Sequence, residues 1–135
     1  MAQRAKTMLI DGSNTVHSLY ESWPDSHEEQ NRHAVDFIVH LSSWASKQTD
    51  MEVEIVFDGG FRALQGSAHS DSVRILFSDY ASADSVILER LRALRYFKRK
   101  VTVVTWDREL AQDAKKEDAK IISPERLWDS IRRET

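Results

Sequence analysis

The sequence contains no cysteine, which removes disulfides, thiolate-held metals and cysteine nucleophiles from consideration. Any metal ion would have to be held by oxygen or imidazole. Only 4 residues are glycine and 2 are proline, too few for collagenous or low-complexity sequence. Apolar runs extend for a few residues at most, against the roughly 20 that a membrane-spanning helix requires. The opening residues 1–7 are polar and lead straight into an apolar segment, without the hydrophobic stretch of a signal peptide. A cytoplasmic location with no membrane partner is therefore expected.

What remains is ordinary globular composition: 135 residues, 41% hydrophobic and 30% charged, enough for one domain spanning 1–135. The net charge of −3 combines 19 basic with 22 acidic residues. It is unevenly spread. Residues 90–100 read RLRALRYFKRK, six cations and no acid, so the rest of the chain carries −9, the −3 total less this +6. The molecule is expected to be electrostatically two-faced.

The apolar pattern predicts alternating strands and helices. Residues 6–10 (KTMLI) form a buried strand ended by Asp11-Gly12, and a short helix follows over about 13–20. Ala34, Phe37, Ile38, Leu41 and Ala45 mark one face of a helix over about 26–47. Residues 52–57 (EVEIVF) form a second strand, also closed by Asp-Gly, and residues 60–72 a long loop. A third strand, 73–77, precedes a helix capped by Ser82; the fourth strand, 101–105, precedes a helix over 108–116 capped by Asp107. Residues 120–122 form a short last strand, and Ser123-Pro124 opens a final helix. This order predicts an α/β fold with a mostly parallel sheet of four to five strands.

Asp11 and Asp58 directly follow their strands, Asp79 and Asp107 follow within two residues, and Asp84 falls in the first turn of a helix after the third strand. All five are expected at one rim of the sheet, where parallel sheets bind ligands. Each alone also suits a turn or cap for backbone reasons. Together they would raise one another's pKa unless a cation neutralised them, and a hard divalent ion such as Mg²⁺ is the natural partner. Position 13 is Ser rather than the second Asp of a haloacid-dehalogenase-type phosphatase. The acidic pair and lysine of a receiver domain are missing, as is a phosphate-binding Gly-Lys-Ser/Thr loop. Metal-assisted phosphodiester hydrolysis remains.

Four segments resemble a known family in order and spacing. Residues 11–17 (DGSNTVH) resemble the D-G-Y-N-V-I-H opening of the YacP-like NYN-domain ribonucleases, and Val56-Phe57-Asp58 resembles that group's second strand. Ser82-Ala83-Asp84-Ser85 with Glu89-Arg90-Leu91 is similar to its T-A-D-S helix start, and residues 101–108 (VTVVTWDR) are similar to its V-x-V-V-T-S-D-R block. The resemblance implies a PIN-like three-layer sandwich and an endoribonuclease dependent on Mg²⁺ or Mn²⁺, acting on single-stranded, mRNA-type RNA. It implies Asp11, Asp84 and Asp107 as metal-binding acids, Asn14 beside the metal contacting phosphate or water, and Asp58 as a supporting acid. Asp79 has no counterpart and reads as a turn residue. The chain departs from the pattern at Ser13, at Ser82 and at Trp106, where a small residue is usual. The Trp106 indole is either a stacking surface for a base or part of the core.

An RNA substrate calls for cations. Arg62 after Asp58 and Arg108 after Asp107 lie nearest the expected site, while Arg95, Lys98, Arg99 and Lys100 form a cluster at a helix end. That cluster reads either as a phosphate track or as charges that suit the helix dipole. A metal-free mechanism through His17 and His69 is a rival, although His17 is expected to face packing. RNA is the expected partner, the ribosome a further candidate, and a monomer the favoured state. The alternatives are a non-catalytic RNA- or ribosome-binding module with the same fold and, third, a small phosphatase.

Overall fold

The computed structural model describes residues 5–20, 24–59, 61, 70–79 and 81–134. The elements follow as β1 (Lys6–Asp11), α1 (Gly12–Leu19), α2 (His27–Ala45), β2 (Met51–Phe57), β3 (Val73–Phe77), α3 (Ala83–Tyr96), β4 (Lys100–Val104), α4 (Arg108–Lys116), β5 (Lys120–Ile122) and α5 (Pro124–Arg133). Most of the expected 60–72 loop, including Arg62 and His69, lies outside the described residues.

Five strands make one sheet in the order β3-β2-β1-β4-β5, and every pairing is parallel. Parallel strands buried on both faces read as continuous apolar runs, which is why KTMLI and EVEIVF announce themselves in the sequence. Alternation sends Met8, Ile10, Ile55, Phe57 and Val104 to one face, against Val16 of α1, Phe37 and Leu41 of α2 and Leu127 and Ile131 of α5. Leu9, Val56, Val101 and Val103 go to the other, against Ile87 and Leu91 of α3 and Leu110 of α4. The result is a three-layer sandwich.

Hydroxyl and carboxylate caps fix where the helices start: Ser26 for α2, Ser82 for α3, Asp107 for α4 and Ser123, with Pro124 behind it, for α5. Buried under α3, Glu54 is held by a bidentate Arg90 pair at 2.7 and 2.9 Å, the arrangement a buried carboxylate needs to offset lost hydration.

Gly12 fixes the junction of β1 and α1. A Cβ there would lie 2.8 Å from the Val56 carbonyl oxygen and 2.9 Å from the Ile55 and Phe57 side chains. Only glycine lets α1 turn this tightly across β2. Ser13 adds a tie, its Oγ accepting the Asp58 backbone N–H at 3.0 Å.

Candidate active site

From β1 the chain builds outward through β2 and β3, and from β4 outward on the other side through β5. The sheet's switch point therefore lies between β1 and β4, and the crevice beyond their carboxyl ends is where such sheets bind ligands. Three of the expected acids meet there. Asp11 ends β1 and caps α1, Asp107 caps α4 just after β4, and Asp84 sits in the first turn of α3.

Their surroundings are acidic. Asp11, only 4% exposed, has its pKa pushed up to about 6, chiefly by burial and further by the charges of Asp84 and Asp107, against a lowering hydrogen bond from Thr105. Burial also raises Asp84, followed by its contact with Asp107 and by the charges of Glu109 and Asp113. Among the described residues no arginine, lysine or histidine pairs with Asp11, Asp84 or Asp107. Crowded carboxylates without a counterion are held at an electrostatic cost.

Polar neighbours hold the cluster in place. The Thr105 hydroxyl, buried, donates to Asp11 Oδ2 at 3.0 Å and accepts the Asp107 backbone N–H at 3.0 Å, so one side chain spaces two acids. The Asn14 Oδ1 accepts the Trp106 backbone N–H at 2.8 Å, which leaves the Asn14 amide N–H groups without a partner among the described residues. Asp107 Oδ1 receives the Glu109 and Leu110 N–H groups at 2.9 and 3.1 Å. Its second oxygen is not used by the cap.

These donors suit a hard divalent cation, being all oxygen, mutually repulsive and clustered at a polar crevice. No three Asp, Glu or His side chains among the described residues converge into a complete ligand set by themselves.

Other expected site residues fall as follows. Asp58 is exposed at the end of β2, its backbone tied to Ser13, and Asp79 is exposed in a bend after β3. Trp106 is 54% exposed, so the core reading of this residue is excluded. With Arg108, also exposed, and Lys115 it borders a cleft of about 340 Å³. Contrary to expectation, His17 faces outward from α1 instead of packing. Arg95, Lys98, Arg99 and Lys100 are not near the acids: they lie around the C-terminus of α3 and the start of β4, at the opposite end of the sheet. Sequence reasoning passed over Thr105, although it stands inside the VTVVTWDR block; its signal was a hydroxyl two residues ahead of a capping acid.

The structure is similar to two crystal structures of Rae1 (YacP) from Bacillus subtilis, one of them a tryptophan-to-leucine mutant. The TM-scores are 0.76 and, for the mutant, 0.75, each at 20% sequence identity. They cover 98% and 95% of this chain and 75% and 76% of the respective Rae1 chains. No curated protein matches the sequence. A family model, the YacP-like NYN domain, matches residues 8–135, nearly the whole chain and all the acids described above. That family is nuclease-like and RNA-related, and its NYN domains are generally dependent on divalent metals. By this match and by its PIN-like sandwich, the chain belongs to the YacP-like NYN domain family.

Proposed function

We propose that the protein is an endoribonuclease that hydrolyses phosphodiester bonds of single-stranded RNA with Mg²⁺ or Mn²⁺ held by Asp11, Asp84 and Asp107. The observation that carries this reading is the un-neutralised cluster of those carboxylates at the switch point of the sheet in a chain of a nuclease-like family. A bound divalent ion there supplies charge neutralisation, water activation and stabilisation of the leaving oxygen.

The chain's own residues do the positioning. Thr105 fixes the separation of Asp11 and Asp107. Asn14, anchored through its oxygen to the Trp106 backbone, turns its amide N–H groups to a phosphate oxygen without adding negative charge. Arg108 supplies a cation to the adjoining phosphate, and the exposed Trp106 face offers a surface on which a base stacks. Asp58 supports from the outer rim. Water adds to phosphorus as the bond to the ribose 3′-oxygen breaks, leaving 5′-phosphate and 3′-hydroxyl ends.

The test is cleavage of a labelled single-stranded RNA by the purified protein in Mn²⁺, with a chelator and Asp11→Asn as controls. Cleavage abolished by both supports the proposal. Binding of RNA in all three samples without cleavage replaces it with a non-catalytic RNA-binding module.

A further inference from the structure

The end of the sheet opposite the acids carries a cavity of about 680 Å³ lined by six cations, Lys6, Arg95, Lys98, Arg99, Lys100 and Lys120, against one acid, Asp118. The arginines are engaged, Arg95 with Asp118 at 2.7 Å and Arg99 with Glu52 at 2.8 Å. The four lysines make no ion pair among the described residues.

Three of those lysines are set by strand register. Lys6, Lys100 and Lys120 are the first residues of β1, β4 and β5, three adjacent strands. Lys6 pairs directly with Lys100. Lys120 pairs with Thr102, two residues along from Lys100, so alternation puts all three on the same face of the sheet. Adjacent strands lie about 4.8 Å apart, and like charges on directly paired positions repel. A fourth lysine is held at a backbone cost: Lys98, just past the end of α3, has φ 62°, a left-handed position usually given to glycine or asparagine. The turn at Lys98 closes α3, with Arg99 N–H reaching the Leu94 carbonyl at 3.1 Å, but it needs no lysine, and the paired Lys6 and Lys100 charges add nothing to the sheet.

Beside the cavity stand two of the most exposed apolar side chains among the described residues, Tyr96 at 82% and Phe97 at 71%. They meet edge to face with ring centres 5.3 Å apart. Uncompensated cations beside exposed rings are what a single-stranded nucleic acid needs, with ammonium groups for its phosphates and flat faces for its bases.

We infer that the N-terminal edge of the sheet is a second, non-catalytic binding surface for single-stranded RNA, with Lys6, Lys98, Lys100 and Lys120 on the backbone and Tyr96 and Phe97 stacking on bases. It anchors RNA at the end of the molecule away from the carboxylates. It shares with the nuclease reading only the chemistry of the ligand, and it holds whether or not the acids cleave.

The test is fluorescence anisotropy of a short labelled single-stranded RNA titrated with the full chain in a chelator, where no metal-dependent cleavage occurs. The triple variant Lys6→Gln, Lys100→Gln, Lys120→Gln is expected to bind at least about tenfold more weakly. Its plot of log affinity against log salt should be shallower by about two, from roughly 0.7 per lost single-strand phosphate contact. Tyr96→Ala with Phe97→Ala should weaken single-stranded RNA and leave duplex RNA unchanged. Lys98→Gly separates binding from folding, because it relieves the backbone and should melt higher while binding RNA more weakly. Unchanged affinity and salt slope in the triple variant, or a Lys98→Gly chain that is more stable and binds as before, would overturn the inference. Competition by polyglutamate as effective as by unlabelled RNA would also overturn it, in favour of an acidic protein partner.

Discussion

The two ends of the sheet are built from the same strands and carry opposite charge. At the carboxyl end Asp11, Asp84 and Asp107 crowd a crevice, and burial together with mutual repulsion lifts the Asp11 pKa to about 6. At the amino end four lysines, none of them in an ion pair among the described residues, surround a cavity. Both ends hold like charges at a cost to stability, but the costs differ in kind. The acids are buried or half-buried and laced by hydrogen bonds from Thr105 and from helix N-termini, which specifies geometry and suits one small cation. The lysines are exposed and long, which specifies sign but little geometry, and suits a flexible polyanion. Chemistry is expected where the charge is rigid, and affinity where it is loose.

The largest expected effect removes one end and spares the other. Asp84→Asn should lower Mn²⁺-dependent RNA cleavage by at least about a hundredfold, since ion-mediated stabilisation is worth several kcal/mol. Anisotropy in chelator should show RNA binding unchanged. Equal loss of cleavage and binding would mean that the two ends are not separate. Next, Gly12→Ala should cost about 1–3 kcal/mol by overpacking against β2, seen as a lower urea midpoint. This substitution disturbs the carboxyl end alone, so metal response should fall before the basal RNA binding does.

Thr105→Val should cost about 1–3 kcal/mol, because it strips a donor from the buried Asp11 carboxyl. Denaturation and Mn²⁺ titration together would check this, with weaker ion affinity as the sharper sign. In the metal-free chain Asp11→Asn should do the reverse and raise stability by about 1–2 kcal/mol at neutral pH, because the raised pKa marks a carboxylate that the fold disfavours. A lower melting temperature there would show that the acid is a structural cap and not a poised ligand. Smallest of all, Trp106→Ser should leave the melting temperature unchanged. It should raise KM for RNA by about tenfold, if a stacked base contributes on the order of 1–3 kcal/mol.

Much of this was legible in the sequence where the cause is local. β3, β5 and α4 fall at the expected residues because apolar runs and capping side chains are read a few positions at a time. The acids at the strand ends were legible for the same reason. The rule that parallel strands share a carboxyl end put Asp11, Asp58, Asp79, Asp84 and Asp107 at one rim, and the resemblance to the YacP-like NYN family singled out Asp11, Asp84 and Asp107 among them. The basic cluster was visible but its place was not. Arg95 to Lys100 seemed a track leading to the site, yet α3 carries Asp84 in its first turn and runs 14 residues, about 21 Å at the helical rise. Its far end therefore lies at the other edge of the sheet. The common face of Lys6, Lys100 and Lys120 depends on register between strands far apart in sequence, which no local pattern encodes. Thr105 escaped notice because its role lies in two partners, one of them 94 residues away.

If the carboxyl-end acids are held together for a divalent cation, the ion must stabilise the folded chain. The most direct measurement is the melting temperature of the RNA-free protein as Mn²⁺ is added at neutral pH, for the parent chain and for Asp84→Asn. A rise that saturates with the ion is expected in the parent and none in the variant, because binding to the folded state alone stabilises it by mass action. No rise in the parent, or the same rise in both, would contradict it.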